Sequence, residues 1–186
     1  MKTPIAVGLA LTLALSAACS DTEPTAVPMA PDAPARNFVA NGAMNGVAQL
    51  SGANEVPSRD TRARGLATVQ VSADGTELSY RLIVANIDNV IAAHFHLGEA
   101  GVNGPVVAFL YGPAPAGQGA VNGPIAEGVI TDADLIGPFA GQTLATLVQA
   151  MVDGSIYVNV HTSDGVAPTN TGPGDFASGE VRGQVR

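Results

Sequence analysis

The sequence predicts an all-β fold, a Greek-key β-sandwich or barrel with one short helix near residues 142–153. Three observations carry this. Short runs of alternating apolar and polar residues recur along the chain, and turn residues separate them. No strand–helix–strand rhythm of the kind that builds parallel sheets is present. Glycine (22) and proline (13) are abundant while aromatic residues make up 4% of a chain that is 46% hydrophobic. The core is therefore expected to be built from Val, Ile, Leu and Ala, with many turns.

The elements follow in order from about Gly46. "VAQLSG" (47–52) reads as a first strand. In "RGLATVQVSADG" (64–75), Leu66, Thr68 and Gln70 oppose Ala67, Val69 and Val71, which is the two-residue period of a strand. Asp74-Gly75 supplies a tight turn, and "TELSYRLIVANI" (76–87) returns with Leu78, Tyr80, Leu82 and Val84 on one face. "VIAAHFHLG" (90–98) and "GPVVAFLYGP" (104–113) are further strands, "GPAPAGQGAVNGP" (112–124) is a long Gly/Pro loop, and "IAEGVI" (125–130) is a short strand. Leu144, Leu147, Val148 and Met151 recur at helical spacing, and Gly154 can close that helix in the left-handed conformation. "SIYVNVHT" (155–162) and "EVRGQVR" (180–186) are strands flanking a loop at 163–179.

The chemistry concentrates in the three histidines. Strand alternation puts Ile91, Ala93, Phe95 and Leu97 on one face, the natural core face, and Ala92, His94 and His96 on the other. The same parity sets Ile156, Val158 and Val160 against Tyr157, Asn159 and His161. If those strands are neighbours, His94, His96 and His161 face one spot. Imidazoles suit copper or zinc there, with Glu180, Asp164 or Glu99 as available carboxylates. The alternative is that the histidines hydrogen-bond backbone carbonyls and tie loops down.

Four stretches then carry a resemblance. "LSGANEVPS" (50–58), "AAHFHLGEAGVNGPVVAFL" (92–110), "IYVNVHT" (156–162) and "GEVRGQV" (179–185) resemble, in this order, the signature pieces of the CHRD (chordin) domain. Ser58 stands where the family often has a second proline, and the segment between the last two motifs is longer than in the family. The resemblance spans residues 46–186. It implies an extracellular or periplasmic domain, whose namesake binds growth factors, so an extracellular protein partner is one expectation. The "HFHLG…NGPVV" stretch is also similar to the His-x-His copper strand of Cu/Zn superoxide dismutase, which implies a related sandwich. Only His94 and His96 map onto that pattern, and the chain has too few histidines and cysteines to carry the enzyme's remaining ligands and disulfide.

Address is read from the first 45 residues. Residues 1–18, "MKTPIAVGLALTLALSAA", are a secretory signal: a lysine, a short apolar run and small residues. The run is too short to span a bilayer. Leu-Ser-Ala-Ala-Cys resembles a bacterial lipobox, which makes Cys19 the lipid-modified first residue, although Ser16 departs from the usual Leu. Ordinary cleavage near Ala18 is the alternative. Residues 19–45 are Pro- and Ala-rich without hydrophobic period and read as a flexible linker from the membrane. The expected location is extracytoplasmic, at the outer membrane, periplasm or cell surface.

The formal net charge of -8, with Lys2 the single lysine, argues against nucleic-acid binding. Arg59, Arg62 and Arg64 read as a solvated loop partly paired with Asp60. No P-loop, dinucleotide fingerprint, nucleophile elbow or HExxH motif is present. Three function classes follow: a non-enzymatic binding domain with a copper or zinc site, a structural or adhesive module whose histidines order loops, and a metal-dependent redox enzyme.

Overall fold

The computed structural model describes residues 44–186. The expected signal at 1–18, the lipid acceptor Cys19 and almost all of the linker lie outside the described residues. Eight strands form one antiparallel sheet: β1 (Asn45–Ser51), β2 (Arg64–Val71), β3 (Leu78–Asp88), β4 (Val90–Leu97), β5 (Val106–Tyr111), β6 (Ala120–Ile130), β7 (Ile156–Thr162) and β8 (Val181–Gln184). Their order is β5-β4-β7-β8-β1-β2-β3-β6. Strands β1 to β3 are consecutive neighbours, and β8 returns beside β1, a Greek-key arrangement. The sheet curls until β5 and β6 nearly meet, so the fold is a barrel with one unlaced seam. The Tyr80 hydroxyl on β3 crosses the seam and donates to the Leu110 carbonyl of β5 at 2.8 Å.

Alternation behaves as the sequence predicts in β2, where Ala67, Val69 and Val71 are buried and Leu66, Thr68 and Gln70 exposed. Leu78, Leu82 and Val84 of β3 join them in the core, with Phe95, Val158, Val160 and Val181 from the opposite wall. Helix α1 (Leu144–Val152) buries Leu144, Leu147 and Met151. It ends at Asp153, and Gly154 takes φ 74°.

Two local expectations need correction. Ile91 does not hold the core position; Val90 does, at 3% exposure. The register with β7 slips between Val90 and Ala92, so a bulge shifts Ile91 out of alternation while Ala93 and Phe95 stay inside. The long loop expected at 112–124 is shorter, because β6 begins at Ala120 and runs through Pro124. Proline is tolerated because β6 is the last strand in the order and needs no N–H on its free side.

Candidate metal centre

The strands β4 and β7 are direct neighbours, with His94 opposite Asn159, His96 opposite Tyr157 and His161 opposite Ala92. Their apolar residues face the barrel interior. The alternate residues project outward, where the segments 98–105 and 163–180 lie over them. The sequence thus dictates a second, polar layer outside the core. In it the three histidines meet: their candidate ligand nitrogens all lie within 4.8 Å of one another. An ion shared by three nitrogens at about 2.0–2.1 Å needs them about 3.4 Å apart, a difference that side-chain rotation covers.

The hydrogen bonds set the tautomers. A carbonyl can only accept, so His96 Nδ1–H donates to Gly104 O at 2.9 Å and His161 Nδ1–H donates to Ala177 O at 3.0 Å. Their Nε2 lone pairs are left for the cluster. His94 Nδ1–H then donates to His161 Nε2 at 3.1 Å. His96 Nε2 is buried and has no partner. A bond from the far ring nitrogen to a carbonyl is how metal-ligating histidines are commonly oriented.

The imidazoles are held neutral. Burial pushes His94 and His96 down to about 4, with the neighbouring imidazoles acting in the same direction. His161 is lowered by burial against the bond to Ala177. Neutral imidazole is the ligating form. The surroundings are aromatic. His96 stacks on Tyr157 at 4.8 Å with 10° between planes, and Phe109 meets His94 edge-on at 4.8 Å.

None of the three suggested carboxylates joins the cluster, which consists of imidazoles alone. Glu180 is buried and accepts from the Thr61 and Thr162 hydroxyls and the Gly174 amide, tying three segments together. Asp164 instead accepts from the Val166 amide in its own loop. Glu99 contributes its backbone carbonyl, to Arg182.

Two residues that the sequence reading left without a role stand beside the histidines. Glu55 is buried and accepts from Asn159 Nδ2 at 2.9 Å. Burial pushes its carboxyl up to about 7, against the opposing pull of Arg182 and Arg59. Arg182, 1% exposed, lies over the Tyr157 ring at 3.4 Å, while His96 stacks on the same ring from the neighbouring strand β4. Its guanidinium donates to Glu99 O, Val102 O and Asn103 Oδ1. Arg59, expected to be solvated, in fact donates to Gly179 O and Ser178 Oγ and covers Phe176. Glu55 lies within "LSGANEVPS" and Arg182 within "GEVRGQV", so the motifs contained both residues without revealing what they touch.

Gly104 shows how tightly the covering loop is drawn. A Cβ there would run into the Leu97 carbonyl, so only glycine brings its own carbonyl within reach of His96. The Gly104 N–H donates to the Tyr157 hydroxyl at 3.1 Å. Tyr157 therefore braces both the His96 ring and the loop that orients it.

A nearly closed antiparallel barrel with a cluster of three imidazoles on its outer face defines an all-β protein whose chemistry sits outside the core. The family model for the CHRD domain matches residues 47–185, and the chain belongs to that family. No curated protein and no solved structure matches it.

Proposed function

We propose that this domain is a non-enzymatic, extracytoplasmic binding module that holds one copper or zinc ion through His94, His96 and His161. The carrying observation is the buried, unpartnered His96 Nε2, on one of three imidazoles whose candidate ligand nitrogens lie within 4.8 Å of one another. A buried acceptor without a partner is costly, and an ion supplies the missing partner. The anchoring half of the proposal rests on the sequence: Cys19 carries the lipid, and residues 19–45 let the domain work away from the membrane. Among the described residues no helix is long and apolar enough to cross a membrane.

A second reading has its own support. The bonds from His96 to Gly104 O and from His161 to Ala177 O tie two covering segments to the barrel, which is what loop-ordering histidines in a structural module would do. Metal titration separates the two. The chain is made with Cys19→Ser, which removes the lipid acceptor and the single thiol. The expected result is one Cu(II) or Zn(II) per chain with a dissociation constant below about 1 μM. His94→Ala, His96→Ala and His161→Ala should each weaken binding at least about tenfold while the far-ultraviolet circular dichroism is kept. Weaker binding in the parent, with variants that lose only stability, sinks the metal site in favour of loop ordering. Redox turnover of superoxide or peroxide by the loaded protein would overturn the non-enzymatic part.

A further inference from the structure

We propose that the cluster selects a monovalent soft cation, the cuprous ion, over divalent zinc, and that Arg182 is the residue that enforces the choice. The inference rests on the metal-site reading above and names the ion class for that same site.

The first observation is the donor set. Three neutral imidazoles converge, and no carboxylate belongs to the group. The buried carboxylates Glu180 and Glu55 are spent elsewhere. Glu180 is saturated by two hydroxyls and an amide. Glu55 is bonded to Asn159 and faces both Arg59 and Arg182, one carboxylate against two guanidiniums. A bound ion therefore brings its full charge into a partly buried place without an anionic ligand. The cost of burying charge grows with its square, so a dication costs about four times what a monocation does. Three-coordinate nitrogen ligation satisfies Cu(I), whereas zinc on the same three imidazoles needs a water to complete its four-coordination.

The second observation is the cation behind the site. The order β4, β7, β8 across the sheet places His96, Tyr157 and Arg182 in sequence, joined by ring stacking at 4.8 Å and by a guanidinium over the ring at 3.4 Å. The oxygens that hold the guanidinium are neutral: two backbone carbonyls and a side-chain amide. No acid hydrogen-bonds it there, and Glu55, the acid that faces it, is shared with Arg59, so a net positive charge is felt across the thickness of one ring. Repulsion on a bound ion scales with that ion's charge, which penalises Zn(II) twice as much as Cu(I). Lysine would not do the same, because only the planar guanidinium both stacks and forks to several carbonyls.

The test is a pair of competition titrations on the Cys19→Ser chain. One is anaerobic, with Cu(I) buffered by a chromogenic cuprous chelator; the other uses Zn(II) and a zinc chelator. Cu(I) is expected to bind more than about tenfold tighter than Zn(II). A ratio of about ten or less, or a preference for zinc, overturns the selectivity. Failure of both ions to bind, or equal binding by the variant lacking all three histidines, would instead remove the metal site itself. Arg182→Met leaves Tyr157 covered by an apolar chain and should narrow the ratio by at least about fivefold, mainly through tighter zinc. Where that variant does not fold, Arg182→Gln keeps a donor for the same carbonyls and serves in its place. An unchanged ratio in either folded variant overturns the role of Arg182, and the parent ratio decides selectivity without any substitution.

Discussion

Glu55 is the residue with the most to say about how this outer layer is held. It sits in a turn after β1, yet it bonds Asn159 of β7, and a Cβ on Gly179 would approach its carboxylate oxygens to 2.9 and 3.0 Å. Gly179, at φ 123°, is what lets the chain pass so close. With its folded value raised from 4.5 to about 7, Glu55 favours the folded state fully below pH 4.5. That contribution is lost as the pH rises through about 7, because the unfolded chain then releases a proton that the folded chain keeps. The groups facing Glu55 are Arg182, Arg59 and Glu180. Glu55→Gln cannot titrate, so urea denaturation at pH 5 and pH 8 should show the parent losing up to roughly 3 kcal/mol relative to the variant over that interval. A constant difference between the two proteins would mean that Glu55 is ionised throughout. None of this was legible in the sequence. Strand parity needs only nearest neighbours, and it correctly placed His94, His96 and His161 on one outer face. Glu55 and Arg182 act through contacts with residues about a hundred and about eighty positions away, which only the strand order creates.

At the level of elements, helix α1 illustrates the same division. Its apolar spacing was readable from Leu144, Leu147 and Met151, and so was its end at Gly154. Its start was not. Thr143 stands at the N-cap without a side-chain capping bond. The Leu144 amide instead donates to Asp132 Oδ1 at 2.6 Å, from a turn twelve residues upstream. Asp132 thus serves two purposes, satisfying an orphan donor and placing negative charge at a helix N-terminus. Asp132→Ala should cost about 1 kcal/mol of stability. Asp132→Asn, which keeps an acceptor, should recover most of it. Chemical denaturation of the two variants measures both, and equal losses would show that charge, not the hydrogen bond, is what the helix needs. The bulge at Ile91 and the strand formed by 120–124 escaped prediction for a related reason. Apolar pattern marks a strand's faces, but a slip in register or an edge position is a property of the pair of strands.

The whole molecule depends on how its seam is closed. A sheet that curls without a last ladder leaves β5 and β6 with unpaired backbone groups, the edges that barrels otherwise abolish. Tyr80 spans this gap. Its β3 position pairs with Gly128 of β6, and a Cβ at Gly128 would come within 2.9 Å of the Tyr80 hydroxyl. Gly128 is therefore the notch through which the ring crosses β6 to reach Leu110 O. Alternation showed that Tyr80 shares a face with Leu78 and Leu82, but a seam joins residues with no pairing to mark them in sequence. The histidine cluster lies on the same half of the sheet as this closure, since β5 pairs with β4 and sets Phe109 opposite His94. Tyr80→Phe keeps the ring and removes the one hydrogen bond, so the expected loss is about 1 kcal/mol. Opening at the seam should rise with it. Native-state hydrogen exchange should speed by about fivefold at the amides of β5 and β6 and stay unchanged at β1 and β2, which are laced on both sides. Uniform acceleration across all eight strands would mean that the bond stabilises the barrel as a unit and that the seam is not its local weak point.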